Sequence, residues 1–189
     1  MPQFTKNAIK NSFLKLLNEM PLNKISVRVI AEDCGINRNT FYYHFTDIPA
    51  LIEEIVMESV NALIEEYPTI DSLEQCFSAV FKFALKNKKA AAHIFNSVNR
   101  DIYERNLMRY CEYIVKTYLD RIFGGSGVSE LDNRIAVKIF KCMLFGACID
   151  WVERGMPEDY LNDLPHVMSV FKGMPEEVLR RMSADNRQA

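Results

Sequence analysis

Apolar residues recur along the chain at steps of three and four, as they do on one side of an amphipathic helix. No stretch shows the sustained alternation of a half-buried strand, so the pattern predicts an all-α protein of about nine helices. Pro165 is expected to disturb the last long helix, the segment 124–127 is predicted to be a loop, and a short tail helix is expected from Pro175. The predicted helices cover residues 5–20, 26–34, 37–45, 47–67, 71–87, 89–98, 101–123, 131–154 and 157–172.

Capping residues and helix breakers divide the N-terminal part of this pattern. Pro21 ends the first helix, while Ser26 and Asn37 are suited to be the N-caps of two short helices. Gly35 lies between those helices, where a turn requires a residue that tolerates positive φ. The segment SVRVIAEDCGINRNTFYYHF (26–45) therefore predicts two short helices joined by a tight turn, a helix-turn-helix.

Composition places the chain among ordinary globular proteins. Its 189 residues are 49% hydrophobic and 25% charged, with a formal net charge of -2. No apolar run approaches the roughly 18 residues of a membrane span, and the N-terminus lacks the apolar region of a signal peptide, so a cytoplasmic location is expected. The five cysteines are widely spaced and lie among apolar neighbours. We interpret them as small buried hydrophobes rather than disulfide partners or metal ligands.

Charge is unevenly distributed along the sequence. Residues 1–46 carry six basic and three acidic side chains, and the acidic excess of the whole chain lies in the remainder. A basic head on an acidic body favours a polyanion-binding module joined to a second domain.

The second short helix carries side chains suited to reading DNA. In a helix-turn-helix this helix enters the major groove, where Arg pairs with guanine, Asn with adenine, and Thr contacts a thymine methyl group or a phosphate. Tyr42 and His44 suit phosphate contacts, which fix the register without reading sequence. The polar positions, which the helical spacing places opposite Ile36, Phe41 and Phe45, are Asn37, Arg38, Asn39, Thr40 and Tyr43.

The residue pattern is more specific than the spacing. ISVRVIAEDCGINRNTFYYHF (25–45) resembles the DNA-binding signature of the TetR/AcrR family of bacterial transcriptional regulators. The matching features are Ser26, the Ile30-Ala31 pair, Gly35-Ile36, Thr40-Phe41-Tyr42, His44-Phe45 and Leu51.

The resemblance implies a homodimer whose N-terminal helix-turn-helix domains, residues 1–47, bind a pseudo-palindromic operator. It implies base-facing roles for Arg28, Arg38, Asn39, Thr40 and Tyr43, and backbone contacts from Ser26, Tyr42 and His44. One position departs from the family pattern: Ile48 stands where a phosphate-binding Lys is common. We therefore expect weaker DNA affinity or a shallower salt dependence than the pattern would give, with compensation from Arg28 and Lys24 as a hypothesis.

The resemblance also implies that residues 48–189 bind an effector and form the dimer interface. On the long helix 131–154, apolar residues lie on more than one side, which favours a face in the core and a second face in an interface. The residues expected at the interface are Ile139, Cys142, Gly146, Ile149, Val167 and Val170. The residues expected to line an effector pocket are Phe77, Phe81, His93, Tyr103, Met108 and Tyr110, with ordinary core packing as the alternative for each.

Enzymatic function has no support in the motifs of the chain. The sequence contains no Gly-rich phosphate loop, no HExxH and no GxSxG, and no cofactor is expected. The expected function is a DNA-binding repressor that a small molecule or a protein partner releases. The alternative is a helical module whose head binds protein rather than DNA.

Overall fold

The computed structural model describes residues 2–68, 73–97, 100–123 and 128–171, together with residues 173, 174, 177, 180 and 181. Over residues 2–68, 73–97, 100–123 and 128–171 the regular elements are nine α-helices and one 3-10 turn at Leu22–Lys24, with no strand, which confirms the all-α prediction. The helices are α1 Pro2–Glu19, α2 Val27–Asp33, α3 Arg38–His44, α4 Ile48–Glu66, α5 Leu73–Lys86, α6 Lys88–Phe95, α7 Arg100–Phe123, α8 Glu130–Glu153 and α9 Tyr160–Phe171.

The start of the last long helix differs from its prediction. It begins at Tyr160 rather than Pro157, because Gly155 and Met156 adopt positive φ and the Pro157 carbonyl accepts a hydrogen bond from the Trp151 indole at 3.0 Å. Pro165 lies inside α9, which continues on both sides of it. The predicted loop at 124–127 and the start of the predicted tail helix lie outside the described residues.

The chain forms two compact units. The first contains residues 1–62 and 87–106, and the second contains residues 63–86 and 107–189. The helix-turn-helix therefore belongs to a unit larger than the predicted segment 1–47, because the first part of α4, all of α6 and the start of α7 pack with it.

The first unit is built around a continuous apolar core. Its α6 is tied to α1 by His93, whose Nδ1 lies 2.6 Å from the Leu17 carbonyl oxygen and, since a carbonyl accepts, donates the hydrogen bond. Burial of the apolar side chains of this core holds α1, α2, α3 and α4 together. The buried core residues are Ile9, Phe13, Leu16, Leu17, Leu22, Ile25, Ile30, Phe41, Phe45, Leu51, Ile52 and Ala90.

Lys10 forms a nearly buried ionic link between α1 and α4. Its Nζ lies 2.6 Å from Glu54 Oε1 and 2.5 Å from Glu58 Oε1, and Lys6 pairs with the other Glu54 oxygen at 2.6 Å. Burial works to lower the pKa of Lys10, but the hydrogen bonds to Glu54 and Glu58 outweigh it and raise the pKa. The ammonium therefore stays charged and joins the two helices.

We expect Lys10→Met to destabilise the protein by about 1–3 kcal/mol, because a buried charged hydrogen-bond donor is removed from two carboxylates. The matched control is Lys6→Met, which removes the same charge from a more exposed pair and should cost less than about 1 kcal/mol. Urea unfolding of both variants measures the difference. Equal losses would show that Lys10 is not a special link.

Acid is expected to weaken the first unit through Asp33 and Glu54. The Lys15 ammonium, at 2.6 Å, and then the Ser12 hydroxyl, at 2.7 Å, lower the pKa of Asp33 below 3.8. Burial raises the pKa of Glu54, but its two lysine partners outweigh burial and bring it below 4.5. A carboxyl group whose pKa is lower in the folded than in the unfolded state stabilises the fold at any pH above its unfolded-state pKa. That stability is lost as pH falls from near 4.5 through the folded-state pKa values of Asp33 and Glu54. Urea unfolding between pH 7 and pH 3 should show this loss, and Asp33→Asn should flatten it; an unchanged slope would contradict the assignment.

The second unit packs one side of α8 against α5, α7 and α9. Phe140, Leu144, Cys148 and Trp151 are buried on this side, and the Trp151 ring meets Phe81 edge-on at 5.0 Å between centroids. This buried side leaves the opposite side of α8 outside the core of the unit.

Candidate nucleic-acid interface

The local geometry of α2 and α3 is that of a helix-turn-helix. Ser26 Oγ accepts a hydrogen bond from the Val29 amide at 3.3 Å, and Asn37 Oδ1 accepts one from the Thr40 amide at 2.8 Å, so both predicted N-caps are confirmed. Gly35 has φ +69°, and the Ile36 amide after it bonds to the Ala31 carbonyl at 2.9 Å. The tight turn thus requires the left-handed backbone region at position 35, which glycine adopts without the steric cost that a Cβ atom would bring.

One side of α3 is buried and the other is exposed. Phe41 is completely buried and Phe45, which follows the helix, is 4% exposed, so the apolar side holds α3 on the core. Arg38 and Asn39 are exposed, and Tyr43 is 78% exposed. The neighbouring Tyr42 ring is exposed as well, and a patch of adjacent exposed aromatic rings is typical of a surface that contacts a partner.

The remaining candidate DNA contacts lie at the edges of this exposed surface. Tyr42 is 54% exposed, whereas Thr40 and His44 are half-buried. The His44 ring meets the Tyr43 ring edge-on at 5.0 Å between centroids, which orients both side chains. Asn37 Oδ1 is occupied by the Thr40 amide and hydroxyl, so the Asn37 side chain offers its amide N–H groups rather than its oxygen.

Most of the basic side chains of residues 1–46 are already paired with acidic groups of this chain. Four of the six are engaged in ion pairs: Lys6 and Lys10 with α4, Lys15 with Asp33, and Arg28 with Glu32 at 2.6 Å. Lys24 and Arg38 are exposed and have no ion-pair partner among the described residues. Arg38 therefore presents an uncompensated positive charge on α3.

Ile48 has a structural explanation. Its half-buried side chain packs against the apolar core of the first unit at the start of α4. The aliphatic residue thus gains packing where the family pattern often has a cation.

The predicted dimer stripe lies on the outer side of α8. Ile139 is 45% exposed, Cys142 and Gly146 are exposed, and Ile149 is half-buried. On α9, Val167 and Val170 are 44% and 75% exposed. The expectation that all five cysteines are buried is wrong for Cys142, because it lies on this outer side, whereas Cys76, Cys111 and Cys148 are in the core.

The residues predicted to line an effector pocket are divided between the two units. Phe77, Phe81 and Tyr110 are buried in the core of the second unit, and Met108 is half-buried on α7. His93 and Tyr103 belong to the first unit, where His93 holds α6 on α1 and Tyr103 packs against the core.

A groove of about 300 Å³ in the second unit is lined by none of these six residues. The residues from α5 that line it are Ala79, Lys82, Phe83, Leu85 and Lys86. Ala79, Lys82, Phe83 and Lys86 follow helical spacing, which is the signal in the sequence that could have identified this face.

Two family sequence models match the chain. Residues 14–55 match the model described as bacterial regulatory proteins, tetR family, and residues 71–162 match the TetR model described as transcriptional regulator C-terminal region. The chain belongs to the TetR family. It is therefore a transcriptional regulator, and the matches indicate no catalytic family. No curated protein matches the sequence.

Solved structures share the fold of this TetR-family chain. The dihydroxyacetone kinase operon activator DhaS is 16% identical, with a TM-score of 0.64 over 95% of this chain and 97% of that one. NalD of Pseudomonas aeruginosa, the secondary repressor of the MexAB-OprM multidrug efflux pump, is 19% identical, with a TM-score of 0.60 over 92% and 97% of the two chains. One is called an activator and the other a repressor, so the shared fold does not fix the sign of regulation. Among the described residues, no helix has the length and apolar content needed to cross a membrane.

Proposed function

We propose that the protein is a homodimeric repressor that binds a pseudo-palindromic DNA operator in the cytoplasm. The observation that carries this proposal is α3, a polar, exposed helix that two side-chain caps and a buried apolar side hold in a helix-turn-helix. In this motif the second helix enters the major groove. Membership of a family of bacterial regulatory proteins supports the same reading.

The exposed side chains of α3 read the operator. Arg38 can bond two acceptors of a guanine, Asn39 can pair with adenine, and Tyr43 presents an exposed ring and hydroxyl to the groove. Ser26, Tyr42 and His44 contact phosphates and fix the register, while Asn37 and Thr40 first shape the start of the helix.

The outer side of α8, together with α9, forms the dimer interface. Its exposed apolar residues include Ile135 and Ile139 on α8 and Val167 and Val170 on α9, and Gly146 allows a second helix to approach closely. Burying these side chains against a second copy removes them from water.

The second unit receives the signal that releases DNA. Its 300 Å³ groove is large enough for a small ligand, and a coupling of about 1–3 kcal/mol between effector and operator would shift occupancy appreciably. Successive major-groove faces on one side of DNA are about 34–36 Å apart. A change in the separation of the two helix-turn-helix domains of the dimer would therefore prevent both from entering the groove together.

Salt dependence distinguishes DNA from a protein partner as the ligand of the head. Binding of the full chain to a labelled duplex pool, measured by anisotropy between 50 and 300 mM salt, should weaken steeply because phosphate contacts release counterions. Duplex binding that is absent at low salt would contradict the proposal and favour the protein-binding alternative.

Glu32 is expected to hold back Arg28 from DNA. The two side chains are exposed and paired at 2.6 Å, and the carboxylate also repels phosphate. Glu32→Gln should therefore strengthen duplex binding roughly two- to fivefold at low salt, consistent with the small energy of an exposed pair. Glu19→Gln is the matched control, since it removes the same charge from an exposed position on α1. An equal gain in both variants, measured by anisotropy, would contradict a specific role for Glu32.

A further inference from the structure

A second groove, of about 390 Å³, lies within the first unit beside the end of α3. It is bordered by the 3-10 turn, the starts of α2 and α4, and the start of α7, all of which belong to that unit. Much of its wall is apolar or aromatic, and the side chains that form this part include Ile25, Val27, Tyr42, Ile48, Pro49 and Tyr103.

The groove contains two polar groups with unused bonding capacity. Asp47 Oδ1 accepts the Ala50 amide at 2.8 Å and caps α4, but its second carboxylate oxygen has no partner among the described residues. The Ser97 hydroxyl is buried and also has no hydrogen-bond partner in the described part of the chain. A buried polar atom without a partner is costly, and a ligand that bonds to it recovers that cost.

The charge of the groove has one sign. Asp47 is the one formally charged residue among the described residues that line it. Burial raises the pKa of Tyr103, and the negative charge of Asp47 raises it further, which is consistent with a carboxylate whose field reaches the opposite wall.

We propose that this groove binds a small organic cation, a primary ammonium carried on an aromatic body. The ammonium donates hydrogen bonds to the free Asp47 oxygen and the Ser97 hydroxyl, and the aromatic body packs against the apolar wall and the Tyr42 and Tyr103 rings. Aromatic faces also attract cations. An anion of the same size is repelled by the charge of Asp47, and a neutral molecule gains the apolar contacts alone.

Tyr42 connects this groove to the candidate nucleic-acid interface, so a ligand bound in the groove affects a residue of that interface. The Tyr42 ring lines the groove, and the proposed function assigns its hydroxyl to a DNA phosphate. This link rests on the proposed function, but cation binding itself does not. Binding is therefore measured without DNA, so that failure of one proposal leaves the other open to its own test.

Isothermal titration of the full chain at pH 7 tests the proposal with three probes of similar size. 2-Phenylethylamine, which is protonated at this pH, should bind at least about tenfold more tightly than neutral 2-phenylethanol, and anionic 3-phenylpropionate should not bind. Asp47→Asn should abolish the preference for the amine, because asparagine keeps the helix cap but removes the charge. Asp163→Asn, an exposed substitution in the second unit, should leave the preference unchanged.

The proposal is overturned if the amine shows no binding up to millimolar concentration, or if Asp47→Asn binds it as tightly as the unmodified chain. Circular dichroism melting of Asp47→Asn confirms that the fold is retained. If the amine and the alcohol bind equally, the groove is an apolar cleft without charge selectivity, and the cation assignment is wrong.

Discussion

Ile139→Asp is expected to convert the proposed dimer into monomers and to weaken operator binding by at least about a hundredfold, since two linked DNA-binding domains gain that much from avidity. The Ile139 side chain is 45% exposed in the single chain, so its replacement leaves the core of the second unit intact. In a two-fold interface the new carboxylate would be buried twice without a partner, which is strongly unfavourable. Light scattering after size exclusion measures the mass, and anisotropy measures the DNA affinity.

Tyr113→Asp is the matched control for this substitution. Tyr113 is 41% exposed on α7, so the same charge is introduced at similar exposure outside the stripe. The exposed Cys142 thiol supplies a second readout, because a maleimide should label it slowly in the wild type and quickly in Ile139→Asp. An unchanged dimer, or monomers from both variants, would place the interface elsewhere.

Arg38→Ala is expected to remove about 1–3 kcal/mol of operator affinity for each half-site and to relax the preference at one base pair, the effect of losing a bidentate guanine contact. Stability should change little, since Arg38 is exposed and has no ion-pair partner among the described residues. Competition anisotropy with operator variants changed at single base pairs measures both affinity and preference.

Arg105→Ala controls for the loss of one positive charge. Arg105 is exposed on α7 within the first unit and lies outside the helix-turn-helix. It should alter affinity by less than Arg38→Ala and leave base preference unchanged. Equal relaxation of base preference in the two variants would contradict a reading role for Arg38.

Local signals made the helix-turn-helix predictable. Ser26 and Asn37 cap helices through bonds to amides three residues away, and Gly35 permits a left-handed turn, so each signal acts within a few residues. The buried side of α8 was predictable for a similar reason, because helical periodicity marks a face before the fold is known.

Contacts between distant segments could not be predicted in this way. Lys10 pairs with Glu58, which is 48 residues away in sequence, and His93 bonds to the Leu17 carbonyl, which is 76 residues away. The first contact neutralises one of the basic side chains of the predicted basic head. The second uses a histidine of the predicted effector pocket. These features depend on tertiary packing rather than on local preference.

Selection of bound duplexes from a random pool tests the central claim most directly. The wild-type chain should enrich a palindromic sequence, because two copies of α3 would read equivalent half-sites. Arg38→Ala should enrich the same site with one position in each half relaxed. If the wild-type chain enriches no sequence at low salt, with or without added cell extract, the claim that α3 reads DNA is contradicted.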